Sequence, residues 1–568
     1  MSGETPTGAA SGTTLTGAPV SPGAAAGVVA TMQAPVGEPA ASQLTEADVE
    51  AAVARIAAAS SAVQTELMRR AQSAKGAGVD VLTATAAMAA DPMLIGDATR
   101  RVRESHLCPE RAVWDAAESV AAQLETLGPP LSERARDVRD VRDRVIADLT
   151  GRPAPGVPEP GEPFVLVAVD LAPADTALLD PDSVLALVTA EGGPTSHTAI
   201  LARSLGIPAV VAVAGATALT DGQVVVVDGT AGTVMVNPDE ATVAAVRARP
   251  RRAARTFDGV GQTADGVRVQ LLANVADPEA ARAAATSGAE GVGLFRTEFC
   301  FLGRATEPTV AEQVEAYRGV LAAFAGKKVV VRTLDAGADK PLPFVTADSE
   351  PNPALGVRGL RTAAAYPGVL DRQLEAIASA AAAEDAEVWV MAPMVATADE
   401  AREFVASCRA HGVTTAGVMV EVPAAALRSA AIFEHAQFAS LGTNDLVQYT
   451  MAADRMLGDL AALSTPWQPA VLDLVKATCD GAVERHRPVG VCGEAAADPV
   501  LAPVLVGLGV TSLSMTPRAL PDVAAVLAAV DSAECRELAA IALRHATARA
   551  ARDAVRERLR PVLEPLGL

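Results

Sequence analysis

From about residue 263 to the C-terminus the chain repeats one short pattern, an apolar run followed by a helical stretch or a long loop. The runs are VRVQLLAN (267–274), GVGLFR (291–296), KVVVRTLD (328–335), LGVRGL (355–360), EVWVMAPM (387–394), AGVMVEV (416–422), FASLG (438–442) and VGVCGE (489–494). Eight βα units in a segment of this length predict a (β/α)8 TIM barrel over 263–568. No self-similar repeat of about 20–50 residues competes with that reading.

A barrel demands that its chemistry sit at the C-terminal ends of its strands. Asn274 ends the first run and Arg296 the second. Arg332 lies near the end of the third, Arg358 on the fourth and Met394 on the fifth. Glu421 ends the sixth, Asn444 and Asp445 follow the seventh, and Cys492 ends the eighth. A surface ion pair is the commoner fate of any single arginine. So many polar groups at equivalent positions argue for function. Arginines together with Lys340 suit a small polyanion, because guanidinium forks match phosphate and carboxylate oxygens. Glu421 and Asp445 are hard oxygen donors, and two carboxylates plus a substrate phosphate are the usual holders of Mg²⁺. That pairing favours phosphoryl chemistry.

Upstream the organisation changes. Residues 1–14 are Gly/Thr/Ser-rich and predict a disordered tail. A strand-like piece follows, with turn residues at Ser21-Pro22-Gly23. From Thr45 to about Leu149 the period is helical, with Leu131, Ala135, Val138, Val145 and Leu149 on one face of LSERARDVRDVRDRVIADL. The stretch GRPAPGVPEPGEP (151–163) breaks both helix and strand. Beyond it, FVLVAVD, VLALVTA, AVVAVAG and QVVVVDG alternate with helical segments, an α/β pattern. The predicted order is thus a helical subdomain (45–150) inserted in an α/β domain (15–44 and 151–240), a helical linker (241–262) and the barrel.

That α/β domain carries GGPTSHTAILARSLGIPAVV (192–211). A glycine turn leads through Thr195 and Ser196, both N-cap types, into a helix that Gly206 can end. His197 falls in its first turn, where free N–H groups and the helix dipole favour an anion such as a phosphorylated imidazole.

Composition excludes other classes. A net charge of −21, from 68 acidic against 47 basic residues, opposes nucleic-acid binding. Six scattered cysteines without a CxxC pair suggest neither disulfides nor a zinc site. No secretory start and no run of about 20 apolar residues is present, so a cytoplasmic enzyme without membrane insertion is expected.

These motifs resemble enzyme I of the bacterial phosphoenolpyruvate:sugar phosphotransferase system. The histidine segment, GVGLFRTEF, VRTLDAGADK, GVMVEVPAA, SLGTNDLVQYTMAADR and VCGEAAAD match in order along the chain. The resemblance implies that His197 accepts a phosphoryl group on Nε2. It implies that Arg296, Arg332, Asn444 and Arg455 bind phosphoenolpyruvate, with Glu421 and Asp445 holding Mg²⁺, and that Cys492 protonates enolpyruvate. Lys340 and Arg358 belong to the same substrate set. It further implies docking of the carrier protein HPr on the helical subdomain and a homodimer through the barrel. Because His197 must serve both the barrel mouth and a partner protein, its lobe is expected to swing about the connector near 240–262. Val357 and Ala338 depart from the family pattern without removing a ligand, and Thr85 stands in the helical subdomain where the family pattern leads one to expect histidine, a departure that bears on HPr docking and not on the chemistry. A pyruvate phosphate dikinase or phosphoenolpyruvate synthase shares the two motif regions but needs a large ATP-binding domain ahead of the histidine. A regulatory relative without catalysis should have lost Arg296, Arg332, Glu421 or Asp445, and all four are present.

Overall fold

The computed structural model describes residues 12–568 except 22, 33–35, 74–76, 127–130, 159, 172–178, 181, 194–196, 249–254, 303, 338–341, 346–349, 351, 456, 458–459 and 461. The chain divides into two compact units, residues 1–192 with 196–248, and residues 193–195 with 249–568.

In the second unit eight parallel strands close into a barrel: β9 (Gln270–Val275), β10 (Gly291–Arg296), β11 (Lys328–Arg332), β12 (Glu387–Ala392), β13 (Thr415–Val420), β14 (Ala439–Leu441), β15 (Val489–Val491) and β16 (Ser512–Met515). Side chains alternate across each strand, and both faces are covered, so the runs read as nearly continuous apolar stretches. Leu271, Val292, Val329, Val390 and Val418 face the surrounding helices. Leu294, Val330, Met391, Met419 and Phe438 fill the barrel with Cys492.

One of the eight expected runs is no strand, and one barrel strand lies outside them. LGVRGL (355–360) is no strand; it forms short 3-10 turns at Pro353–Leu355 and Gly359–Arg361 within the connection from β11 to β12. Gly359 sits at φ +57 against Met394 and Pro393, a conformation that a ladder does not accept. Arg358 therefore belongs to a loop. The eighth strand is SLSM, β16, which pairs with β9 to close the ring. Leu513 and Met515 pack outward into the helical shell, while Ser512 and Ser514 face a void inside the barrel. Glu421, Asp445 and Cys492 thus follow the fifth, sixth and seventh barrel strands.

The first unit is built on an eight-stranded sheet in the order β1-β8-β7-β3-β4-β5-β6-β2. Its strands are β1 (Thr14–Thr16), β2 (Ala18–Ser21), β3 (Ala24–Thr31), β4 (Phe164–Ala168), β5 (Val184–Thr189), β6 (Ala209–Val211), β7 (Val224–Asp228) and β8 (Thr233–Val236). Strands β3 to β6 run parallel, and β1, β8 and β7 extend the sheet antiparallel beyond β3. The run from Thr14 is a strand, so the expected tail is shorter than 1–14; residues 1–11 lie outside the described residues.

Between β3 and β4 the chain leaves the sheet for five helices: α1 (Val49–Ser73), α2 (Ala77–Ala89), α3 (Pro92–Ser105), α4 (Pro109–Thr126) and α5 (Leu131–Thr150). They enclose their own core around Ile56, Leu67, Ala86, Val102, Val141 and Ile146. Asp91 caps α3, its carboxylate accepting from the Met93 and Leu94 N–H groups. On α5, Arg142 is buried over the Trp114 ring, 3.7 Å from its centroid, and pairs with Asp143 and Glu118. Of the described residues in the expected helical linker, those within Glu240–Ala248 are helical and residues 255–260 are not. Among the described residues, no helix is long and apolar enough to cross a membrane.

Candidate active site

The barrel rim gathers charge at the C-terminal strand ends. Arg332 ends β11 and is buried, with Nη2 donating to Glu298 Oε1 at 2.8 Å and Nη1 lying 3.1 Å from Asp335 Oδ2. Asp335 Oδ1 is 3.5 Å from Arg358 Nη2, and Arg358 Nη1 donates to Asp445 Oδ1 at 3.2 Å. Asp445 Oδ2 is 3.5 Å from Arg455 Nη1. Carboxylates and guanidiniums thus alternate from Glu298 to Arg455 in one chain. Tyr449, one helical turn after Asp445, accepts from Arg358 Nη1 at 3.2 Å.

Local structure explains these placements. Asp445 sits in the first turn of the helix Thr443–Met451, where the dipole favours its charge. Glu421 is the first residue past β13, and its Oε1 accepts from the Met394 N–H at 2.7 Å. Met394 turns that N–H inward by adopting φ +61. Asn444 Oδ1 accepts from the Glu494 N–H at 3.2 Å, which ties the loop after β15 to that after β14. Arg296 ends β10 with an exposed side chain, its guanidinium 5.3 Å from the Phe299 ring centroid. Among the described residues Arg296 makes no ion pair, which leaves it open to an incoming anion.

The electrostatics follow from burial. Glu421 is 1 % exposed, and burial, then the charges of Asp445 and Asp335, push its carboxyl well above the usual range. For Arg332, burial works against the charge, yet Glu298, Asp335 and Glu421 outweigh it and hold the guanidinium protonated. Burial pushes the Cys492 thiol up to about 11 although the Ser440 hydroxyl and Arg332 oppose it. At neutral pH Cys492 is therefore a thiol that can give a proton. No group of three or more His, Cys, Asp or Glu poised for a metal occurs among the described residues. Glu421 and Asp445 still fit Mg²⁺, which takes few protein carboxylates and keeps water and substrate oxygens. A divalent cation would also relieve the repulsion that raises Glu421.

In the first unit, His197 opens the helix His197–Leu205. Gly206 ends it at φ +63, while Ile207 N–H returns to Ala202 O at 3.0 Å. Thr198 is buried, and its hydroxyl donates to Asp170 Oδ1 at 3.1 Å, anchoring the first turn to the end of β4. Ala199 and Ala202 seat the helix on the sheet. Thr195, Ser196 and Lys340 lie outside the described residues, and for His197 only the backbone is described.

Glu298, Asp335 and Tyr449 join this rim although they are not among the site residues expected from the sequence. The first two carry a legible signal, an acid two or three residues after each strand-end arginine, in RTE and RTLD.

Family models match along the chain: "PEP-utilising enzyme, N-terminal" over 16–134, "PEP-utilising enzyme, mobile domain" over 160–232, and "PEP-utilising enzyme, PEP-binding domain" over 250–532. A phosphoenolpyruvate-protein phosphotransferase of Streptomyces coelicolor is 51 % identical over 95 % of this chain and 98 % of its own length. The chain belongs to that family of PEP-utilising enzymes. Proteins of the same name from Haloferax volcanii and Geobacillus stearothermophilus are 42 % and 39 % identical. They align over 79 % and 84 % of this chain and over 81 % and 86 % of their own lengths. The family's PEP-binding model spans the barrel strands and the rim just described, and its mobile-domain model spans His197.

Proposed function

We propose that this chain is a cytoplasmic phosphoenolpyruvate-protein phosphotransferase. It phosphorylates its own His197 from phosphoenolpyruvate and passes the phosphoryl group to the small carrier HPr, the first step of sugar uptake. The observation that carries this reading is the alternating arginine–carboxylate chain at the barrel rim, with Arg296, which makes no ion pair among the described residues, near it.

In this reading Arg296, Arg332, Asn444 and Arg455 bind the phosphate and carboxylate of phosphoenolpyruvate, supported by Arg358 and Lys340. The carboxylates that neutralise Arg332 and Arg358 fix those side chains before substrate arrives, so little reorganisation is needed. Glu421 and Asp445 hold Mg²⁺, which when bound offsets charge on the transferring phosphoryl group. The bond from phosphorus to the enol oxygen breaks as His197 Nε2 takes the phosphorus. The enolate left behind collapses to a ketone as its C3 takes the proton of the Cys492 thiol, giving pyruvate. The imidazole serves both the barrel and HPr, so the lobe must move about the connector after Glu240. HPr docks on helices α1–α5, and the barrel forms the homodimer.

The test is incubation with phosphorus-labelled phosphoenolpyruvate and Mg²⁺. Wild type should acquire acid-labile, alkali-stable label that purified HPr removes, and His197→Ala should acquire none. Equal labelling of the two proteins would reject His197 as the acceptor.

A further inference from the structure

We infer that Asn274 and Ser514 form a clasp across the closing seam of the barrel that positions Cys492 for proton delivery. The inference rests on Cys492 being the proton donor of the proposed reaction.

The seam joins β16 to β9, with Ser514 opposite Leu272 and Met515 opposite Ala273. On the other side of β16, its ladder to β15 ends at Val491↔Leu513, one residue before Cys492. The Cys492 carbonyl is therefore left beyond the ladder, and a side chain takes the place of the missing strand partner. Asn274 Nδ2 donates to Cys492 O at 3.1 Å, while Asn274 Oδ1 accepts from the Ser514 hydroxyl at 2.6 Å. One amide thus links the first, seventh and eighth barrel strands. Its two ends have fixed roles, because a hydroxyl donates to the oxygen and only the nitrogen can donate to a carbonyl.

The clasp holds a peptide plane that bears on the thiol. The Cys492 N–H donates to Leu441 O at 3.1 Å, which fixes the plane before the residue. Asn274 fixes the plane after it. With both planes set, the direction of the Cα–Cβ bond is set as well. The next two residues are held from the opposite side: Gly493 lies so close to Thr443 that a Cβ there would overlap it, and the Glu494 N–H bonds to Asn444 Oδ1. Cys492 therefore stands between two clamps, one made by Asn274 and Ser514 and one by the loop that carries Asn444 and Asp445.

Closure of the barrel does not need this arrangement. Four registered pairs already join β16 to β9, and Leu513 and Met515 bury the outward face. Ser514 is 2 % exposed, and burying its hydroxyl with a side-chain amide gains little over a well-packed apolar pair. Gly293, whose missing Cβ would overlap Ser514, leaves the hydroxyl its space. Asn274 and Ser514 act through Cys492 and touch none of the rim arginines in the contacts above, so they are positioning residues for the second chemical event alone. In that event the thiol S–H bond breaks and its proton joins C3. The enolate electrons become the carbonyl bond, and the thiolate regains a proton from water.

The facial selectivity of protonation tests this directly. Phosphoenolpyruvate bearing hydrogen and deuterium stereospecifically at C3, turned over in tritiated water, yields pyruvate with a chiral methyl group if one face is protonated on the enzyme. Wild type should give one configuration. Asn274→Ala should lose at least half of that chirality as enolpyruvate escapes to solvent. Its turnover should fall about tenfold or more, with KM for phosphoenolpyruvate and single-turnover labelling of His197 both within about twofold of wild type. Ser514→Ala should show the same signature more weakly, and decides the matter if Asn274→Ala does not fold. Full chirality and unchanged turnover in a folded variant would overturn the clasp. If Cys492→Ala itself keeps the wild-type configuration, Cys492 is not the donor, and the clasp falls with that reading rather than on its own.

Discussion

The two ends of the barrel interior are built on opposite terms. At the C-terminal rim, charged groups are buried in a chain of ion pairs running from Glu298 through Arg332, Asp335, Arg358 and Asp445 to Arg455. At the N-terminal base, a single cation is packed among rings. Lys328 Nζ lies 4.5 Å from the Trp389 ring centroid and donates to Gln270, and Trp389 stands 4.8 Å from Phe438. Burial pulls the Lys328 ammonium down, while Glu387 and Glu290 oppose it. The rim invests folding energy in a network of buried charge; the base uses its groups to plug the barrel. In barrel enzymes the first face carries chemistry and the second carries stability.

That contrast can be broken at either end. The largest effect should come from Arg332→Met, which removes a buried guanidinium bound to Glu298 and Asp335 at the rim. On the proposed reading Arg332 clamps the phosphoryl group, and loss of one such arginine is worth about 10³-fold or more in rate, so steady-state pyruvate formation by the folded variant should fall by that order. A variant retaining a tenth of wild-type activity would show that Arg332 only braces its two carboxylates. At the base, Trp389→Ala should reverse the pattern. It should cost up to about 3 kcal/mol in urea unfolding, the low end for truncating a large aromatic because Trp389 is partly buried, with kcat below the unfolding transition close to wild type. Collapsed activity in the still-folded protein would erase the division between the ends.

The smallest effect sharpens the rim side through pH. Burial, Asp445 and Asp335 raise the Glu421 carboxyl in the folded protein above its unfolded value. Between those two values the unfolded chain has lost the proton and the folded chain keeps it, so stability falls as pH rises through that window. Glu421→Gln lacks this penalty. In metal-free protein its midpoint should match wild type near pH 4 and rise above it toward pH 8, with the gap widening by at most about 1.4 kcal/mol per pH unit. A gap independent of pH would mean that Glu421 ionises freely in the fold.

Much of this was legible in residues alone, and the exceptions are instructive. The count of eight barrel strands was readable, but one member was misplaced. LGVRGL has the apolar texture of a strand, yet Gly359 at φ +57 turns it away from the sheet. The true last strand, SLSM, escaped because its inward positions are serines that face Asn274 and an internal void, the reverse of an apolar-in pattern. The arginines could be read one by one from strand ends. Their pairing with Glu298, Asp335 and Tyr449 could not, because it depends on which loops the barrel brings side by side. Arg358 reaches Asp445 across 87 positions of sequence. The helix that begins at His197 was readable from the glycine turn before it, whereas the hydroxyl of Thr198 on Asp170 joins two strand-end segments that only the sheet makes neighbours.

One topological feature of the first unit has a practical outcome. Strands β3 and β4 lie parallel and adjacent, yet the entire five-helix segment separates them in sequence. Parallel neighbours cannot share a tight turn, since the chain must travel back the length of the strand before pairing again. The helices therefore serve, as a whole, as one oversized return path. A truncated protein would need a spacer of about a dozen residues in their place, not a two-residue loop. By the same logic, any helical cassette whose ends meet the far tip of β3 and the near tip of β4 could be exchanged without rethreading the sheet.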